Sequence, residues 1–213
     1  MRAAMTLVLV AGAMAAGTAS PARAAEVLEK TSFKGENAFV AFTGSAAITC
    51  PDASSGTLDS TVFLSGFEFV SKSRQSGGSS ANTVFAQLIQ FNSCTGNFLT
   101  ATGLVNGAFS GQGLRSATMT AAIPLSGFEG PVGTLLVDVQ LTASGKLVKT
   151  RSRSRTEFET PEGDLVVTFS RSMGKTREAT ASGTLIFNGT TLVGTLQDAF
   201  IDDSKNGEMI VLH

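Results

Sequence analysis

Tryptophan and tyrosine are absent from this chain of 213 residues, histidine occurs once, cysteine twice and proline five times, and only 15% of the side chains are charged. Each scarcity removes a class of chemistry. A Ser-His-Asp or Cys-His centre needs an imidazole beside the nucleophile, and the one candidate is the last residue, His213. Two cysteines without histidine partners cannot supply the four ligands of a zinc site, so no metal and no cofactor are expected. Gly-x-Ser-x-Gly, His-Glu-x-x-His and Gly-x-Gly-x-x-Gly patterns are missing beyond residue 25. With 16 basic residues against 17 acidic ones there is no bulk positive charge to hold nucleic acid. An apolar content of 42% is too high for a disordered tail.

The beginning of the chain is more informative. Arg2 is followed by an apolar and small stretch over 3–16, then Thr18, Ser20 and Pro21, then Ala22-Arg23-Ala24. This is the charged, greasy, small-residue order of a secretory signal peptide, with cleavage expected after Ala24. The stretch is too short for a membrane span, and no later one approaches the roughly 18 apolar residues that a transmembrane helix needs. The expected organisation is therefore a signal peptide over 1–24 and a single secreted β-domain over 25–213, in the periplasm or outside the cell. Losing Arg2 and Arg23 leaves 14 basic and 17 acidic residues, a net charge of −3. Export leads to an oxidising compartment, where Cys50 and Cys94 should form a disulfide.

Apolar alternation, cut at short intervals by Gly, Ser and Asn, marks an all-β fold: an antiparallel sandwich or barrel of roughly 10–12 strands. Expected strands cover 38–42, 46–50, 61–71, 83–91, 98–109, 115–124, 133–142, 147–159, 165–170, 179–187, 190–200 and 208–212. In the strand from Gly133, Leu135, Val137, Val139 and Leu141 should be buried while Asp138 and Gln140 face water. Asn188-Gly189 and Asn206-Gly207 read as tight hairpin turns, because these residues tolerate positive φ. The Ser/Gly-rich run over 75–80 reads as a surface loop. The segment 81–93 also fits a helical face through Val84, Phe85, Leu88 and Ile89. An internal likeness argues for a strand: Leu-Ser-Gly-Phe-Glu at 64–68 recurs at 125–129, and 89–96 then resembles the cleanly alternating 139–145. Such a likeness fits a degenerate duplication within one domain, and equally a coincidence in a chain rich in Gly, Ser and Thr.

Four patterns could carry chemistry. Ser172-Met173-Gly174-Lys175 matches Ser-x-x-Lys, in which a neutral Lys relieves a nucleophilic Ser of its proton, but that chemistry uses one helical turn and this segment joins strand-like stretches. Glu157 and Glu159, or Asp198, Asp202 and Asp203, could supply the carboxylate pair of a glycosidase. Asp202, Ser204, Asn206 and Gly207 fall at the first, third, fifth and sixth places of a calcium loop whose twelfth place is His213 rather than Glu, so an ordinary Asn-Gly turn is the expectation.

The fourth pattern is the least ordinary. In extended form Lys149, Arg151, Arg153 and Arg155 project from one face, followed by Glu157 and Glu159, with Thr150, Ser152, Ser154, Thr156 and Phe158 opposite. Such a strand buries little and belongs at a sheet edge or in a protruding ribbon, with Arg171, Lys175 and Arg177 nearby if the next segment pairs back. A row of guanidinium groups can grip phosphates or carboxylates. The plainer account is a charged edge that resists aggregation.

Together these features point to a secreted noncatalytic β-domain, an envelope or extracellular structural or binding module. Its binding residues would be Lys149, Arg151, Arg153 and Arg155, and its partner an anionic envelope polymer or protein. The alternatives are a small apolar-ligand barrel, suggested by the 15 Phe and low charge, and an extracellular carboxylate-dependent hydrolase.

Overall fold

The computed structural model describes residues 26–75 and 77–212, so the expected signal segment lies outside the described residues. Those residues form ten strands and no helix: β1 (Glu26–Thr49), β2 (Ser55–Ser73), β3 (Gly77–Asn92), β4 (Asn97–Asn106), β5 (Phe109–Gly111), β6 (Ser116–Gly127), β7 (Gly130–Glu159), β8 (Leu165–Phe187), β9 (Thr190–Thr191) and β10 (Gly194–Leu212). All the strand ladders are antiparallel, in the order β10-β1-β2-β3-β4-β6-β7-β8-β9. Because β8 also pairs with β10, the ladder returns to its first strand. Of the two architectures that alternation allows, the chain adopts the barrel, an eight-stranded ring with β5 and β9 as accessories.

Alternation chooses the two sides of the wall. Leu135, Val137, Val139 and Leu141 are buried and Asp138 and Gln140 exposed, as the pattern requires. Val40, Val62, Leu64, Val84, Leu88, Met119, Ile123 and Leu125 fill the same interior. Only three of the 15 phenylalanines, Phe42, Phe109 and Phe187, are buried. Others sit on the outer wall, where Phe39 stacks on Phe63 and Phe200 at ring separations of 6.3 and 5.2 Å, and Phe33 stacks on Phe69 at 5.3 Å. Such stacks cover ring faces that the barrel interior does not admit.

The ring is unequally tall. β7 has 30 residues and β1 24, whereas β4 and β6 have 10 and 12. Where β4 and β6 stop, the lower parts of β7, β8, β10, β1, β2 and β3 continue as an open trough whose inner face prolongs the barrel interior. The segment between β4 and β6 folds across the junction. Phe109 enters the interior over Gly66, where a Cβ would run into the Phe109 ring, so the close approach requires glycine. Asn82 receives the Phe109 amide at Oδ1 (3.0 Å) and donates Nδ2 to the Phe109 carbonyl (2.6 Å). Glu36 accepts the Gly113 amide at 2.9 Å. This plug separates the apolar barrel from the trough.

At the other end of the barrel the Cys50–Cys94 disulfide, with Cα atoms 5.3 Å apart, joins the β1-β2 turn to the β3-β4 turn. In the first turn Asp52 accepts from Ser54 Oγ (2.6 Å) and the Ser54 amide (3.0 Å), and these bonds hold its carboxyl below the ordinary pKa.

Twelve expected strands become ten because several breaks are not breaks. Segments 38–42 and 46–50 run together in β1, which starts twelve residues earlier, and 133–142 joins 147–159 in β7 through an irregularity between Ala143 and Leu147. Asn188-Gly189 is a true turn, with φ of 49° and 80°. Asn206-Gly207 is not: β10 passes straight through it, because Gly207 pairs with Ser32 on one side and Arg171 on the other. The Ser/Gly run also enters a strand, since 77–80 pairs with β2. Segment 81–93 is strand as far as Asn92, as the internal likeness argues. The two Leu-Ser-Gly-Phe-Glu copies sit differently: 64–68 lies within β2, whereas 125–129 ends β6 and enters the following turn.

Candidate functional site: a basic row on the trough edge

The ladder of β7 and β8 places every member of the basic row. Lys149 lies opposite Lys175, Arg151 opposite Met173, Arg153 opposite Arg171 and Arg155 opposite Phe169. Directly paired residues share a face, so this row and its partners line the inner side of the trough. Each of the four side chains is exposed, and residues 147–159 bury nothing apolar. β6 ends opposite Thr142, so among the described residues no strand covers the outer side of 147–159. The expected edge strand is therefore present.

Its neighbours shape the row. The Arg155 guanidinium stands 5.5 Å from the Phe169 ring centroid and pairs with Glu157. Arg171 Nη2 lies 2.9 Å from Met173 Sδ. Arg177 does not join the row: its Nε and Nη2 donate to the Gly145 carbonyl at 3.2 and 3.1 Å and clamp the β7 irregularity. Arg153, Arg155, Phe169, Arg171, Met209 and Lys30 border a cavity of about 670 Å³ in the trough. Phe169, Met209 and Lys30 escape a strand-by-strand reading, because they meet the row only through pairing across β8, β10 and β1. The Phe169-Ser170-Arg171-Ser172-Met173 alternation is the signal that could have found the first of them.

Other candidate chemistry is dispersed by the same geometry. Ser172 and Lys175 lie in the continuous strand β8 three positions apart, so they project from opposite faces and cannot exchange a proton directly. Asp202, Ser204 and Asn206 lie along β10, so their oxygens are strung out rather than converging on a calcium ion. Among the described residues no group of three His, Cys, Asp or Glu side chains could hold a metal. Asp202 and Asp203 are consecutive in the strand and face opposite ways, each with one buried, unpartnered Oδ1.

Two carboxylate pairs share grooves: Glu36 directly faces Glu68 across β1 and β2 at the border of one cavity, and Glu178 lies near Asp202 at the border of another. Glu178 and Asp202 are on the outer face of neighbouring strands, two positions out of register, and both border a cavity of about 880 Å³ with Lys146 and Phe200. Proximity in sequence groups Asp202 with Asp198 and Asp203 instead, since only the β8-β10 ladder brings Glu178 near.

Among the described residues no helix is long and apolar enough to cross a membrane. Comparison of the chain with protein-family models, with curated proteins and with solved structures finds no match.

Proposed function

We propose that this chain is a noncatalytic, extracytoplasmic binding module that holds an extended polyanion, an acidic or phosphorylated glycan of a cell envelope, along Lys149, Arg151, Arg153 and Arg155. The observation that carries this reading is the cross-strand register. Arg153 directly faces Arg171, whose other neighbour is Gly207, and like charges so placed destabilise a sheet; Lys149 faces Lys175, which also has Asp203 on its far side. A row of anionic groups in the trough relieves that repulsion. Guanidinium groups suit phosphate and carboxylate because their donors form a planar fork. The filled barrel interior favours this reading over an apolar-ligand barrel, and the Cys50–Cys94 bridge is compatible with an oxidising compartment.

Immobilised dextran sulfate tests the proposal, with neutral dextran as control. The R151S/R153S/R155S variant should bind dextran sulfate at least about tenfold more weakly than wild type, and rising salt should weaken wild-type binding through screening. All three side chains are exposed, so the melting temperature should not move by more than a few degrees. Equal retention of both proteins on dextran sulfate and on envelope fractions would exclude the row as a binding site.

A second reading, a carboxylate-dependent glycan hydrolase, is favoured by the shared groove of Glu178 and Asp202. It requires that wild type release reducing ends from an envelope glycan and that D202N abolish the release. Absence of release by the wild type rejects it.

A further inference from the structure

The free side of β7 carries a second pattern, the reversal of charge that ends the basic row. Along one face the charges read Lys149, Arg151, Arg153, Arg155, Glu157, Glu159, so the last four residues of the row are two positive and then two negative. A guard against edge aggregation needs only one sign. A strand that pairs with its own copy needs this reversal.

The backbone fixes which groups are available. The Thr160 amide donates to the Asp164 carbonyl at 2.8 Å, toward β8, and the Ala143 amide donates to the Arg115 carbonyl at 2.9 Å, toward the other side. The β7-β8 register is unbroken from Leu147 to Glu159. Backbone groups alternate sides in an antiparallel ladder, so the amides and carbonyls of Arg153, Arg155, Glu157 and Glu159 point to the free edge. The residues that offer hydrogen bonds are therefore the charged ones.

Only some registers satisfy both requirements. In an antiparallel self-pairing centred on Thr156, Arg155 faces Glu157 of the second copy and Arg153 faces Glu159. Every charged pair is then opposite in sign, and every one falls at a hydrogen-bonding position. Centring the two-fold on Arg155 or Glu157 puts a like pair on the axis, and centring it on Ser154 sets Arg153 against Arg155. Odd shifts turn the charges to opposite faces and present the wrong backbone groups. Pro161, without an amide, ends the ladder beyond Glu159.

We infer that the protein forms a two-fold symmetric dimer in which residues 153–159 of β7 pair antiparallel with the same residues of a second copy about Thr156. The two troughs join in one continuous sheet, and Lys149, Arg151, Arg171 and Lys175 of each copy stay outside the new ladder. The interface is isologous, so the assembly closes at two rather than growing into fibres.

Thr156 tests the register. On the axis it faces its own copy at a non-hydrogen-bonded position, where Cα atoms approach to about 4.5 Å, within disulfide range. T156C should cross-link into a dimer under mild oxidation, and S152C, eight positions away from its copy in this register, should not. Charge reversal supplies an independent measurement at exposed positions. R153E/R155E and E157R/E159R should each sediment as monomers, with a dimer Kd at least about tenfold weaker than wild type, while an equimolar mixture of the two should sediment as a heterodimer. A wild type that is monomeric at about 100 μM overturns the inference, because mass action would then leave no dimer at lower concentration. Equal cross-linking of T156C and S152C overturns it too. Neither cysteine variant alters the basic row, so dextran sulfate binding reports on the proposed function separately.

Discussion

Reducing the Cys50–Cys94 bridge, or replacing it in a C50A/C94A variant, should lower the unfolding free energy by about 4 kcal/mol, the chain-entropy value for a crosslink spanning 44 residues. For a domain of this size that corresponds to a fall in Tm on the order of 10 °C. The effect should be large because the bridge ties two separate hairpin turns, β1-β2 and β3-β4, at one end of the barrel. Gly56 packs so closely on both sulfurs that a Cβ there would collide with them, so the bridge is also embedded in its surroundings. Calorimetry with and without a thiol reductant checks this. A Tm unmoved by reduction would mean that the two turns are held by their ladders alone.

The second large effect lies at the opposite end. Phe109 is 4% exposed and fills the place above Gly66 where the barrel gives way to the trough. F109A should cost about 3–5 kcal/mol, the usual range for emptying a buried Phe site. G66A alone should cost about 1–3 kcal/mol, because its methyl group and the ring claim the same space. Once the ring is gone that conflict disappears, so G66A should cost little in an F109A background, and the double-mutant cycle should show a coupling of 1 kcal/mol or more. Additive losses in urea unfolding would show that the two residues do not share a site.

The fold class was readable because one physical signal, period-two burial, persists along nearly the whole chain; 133–142 shows it best, with each apolar residue inside and each polar residue outside. Strand ends were less readable. Gly and Asn mark turns only where nothing pairs across them: Asn188-Gly189 lies at a free hairpin end, whereas Asn206-Gly207 is flanked by β1 and β8 and stays extended. Aromatic placement was also hidden, since alternation says which residues share a face but not that the Phe39, Phe63 and Phe200 face is the outer one. The basic row was legible in residues 149–155, and so was its edge position. Its opposing Lys175 and Arg171 needed the register, and Lys30 and Met209 needed the ladder through β10 to β1, separated by nearly the whole length of the sequence.

That last connection also governs how the molecule is made. Glu26 pairs with Leu212, so the first strand finds one of its two neighbours only when the final one has been synthesised. Contacts of such long sequence separation fold slowly. Until then β1 and β8 each keep a bare side, and a nascent or truncated chain is a sheet with two adhesive borders. Deleting β10 should therefore drive the remainder toward aggregation instead of merely trimming it.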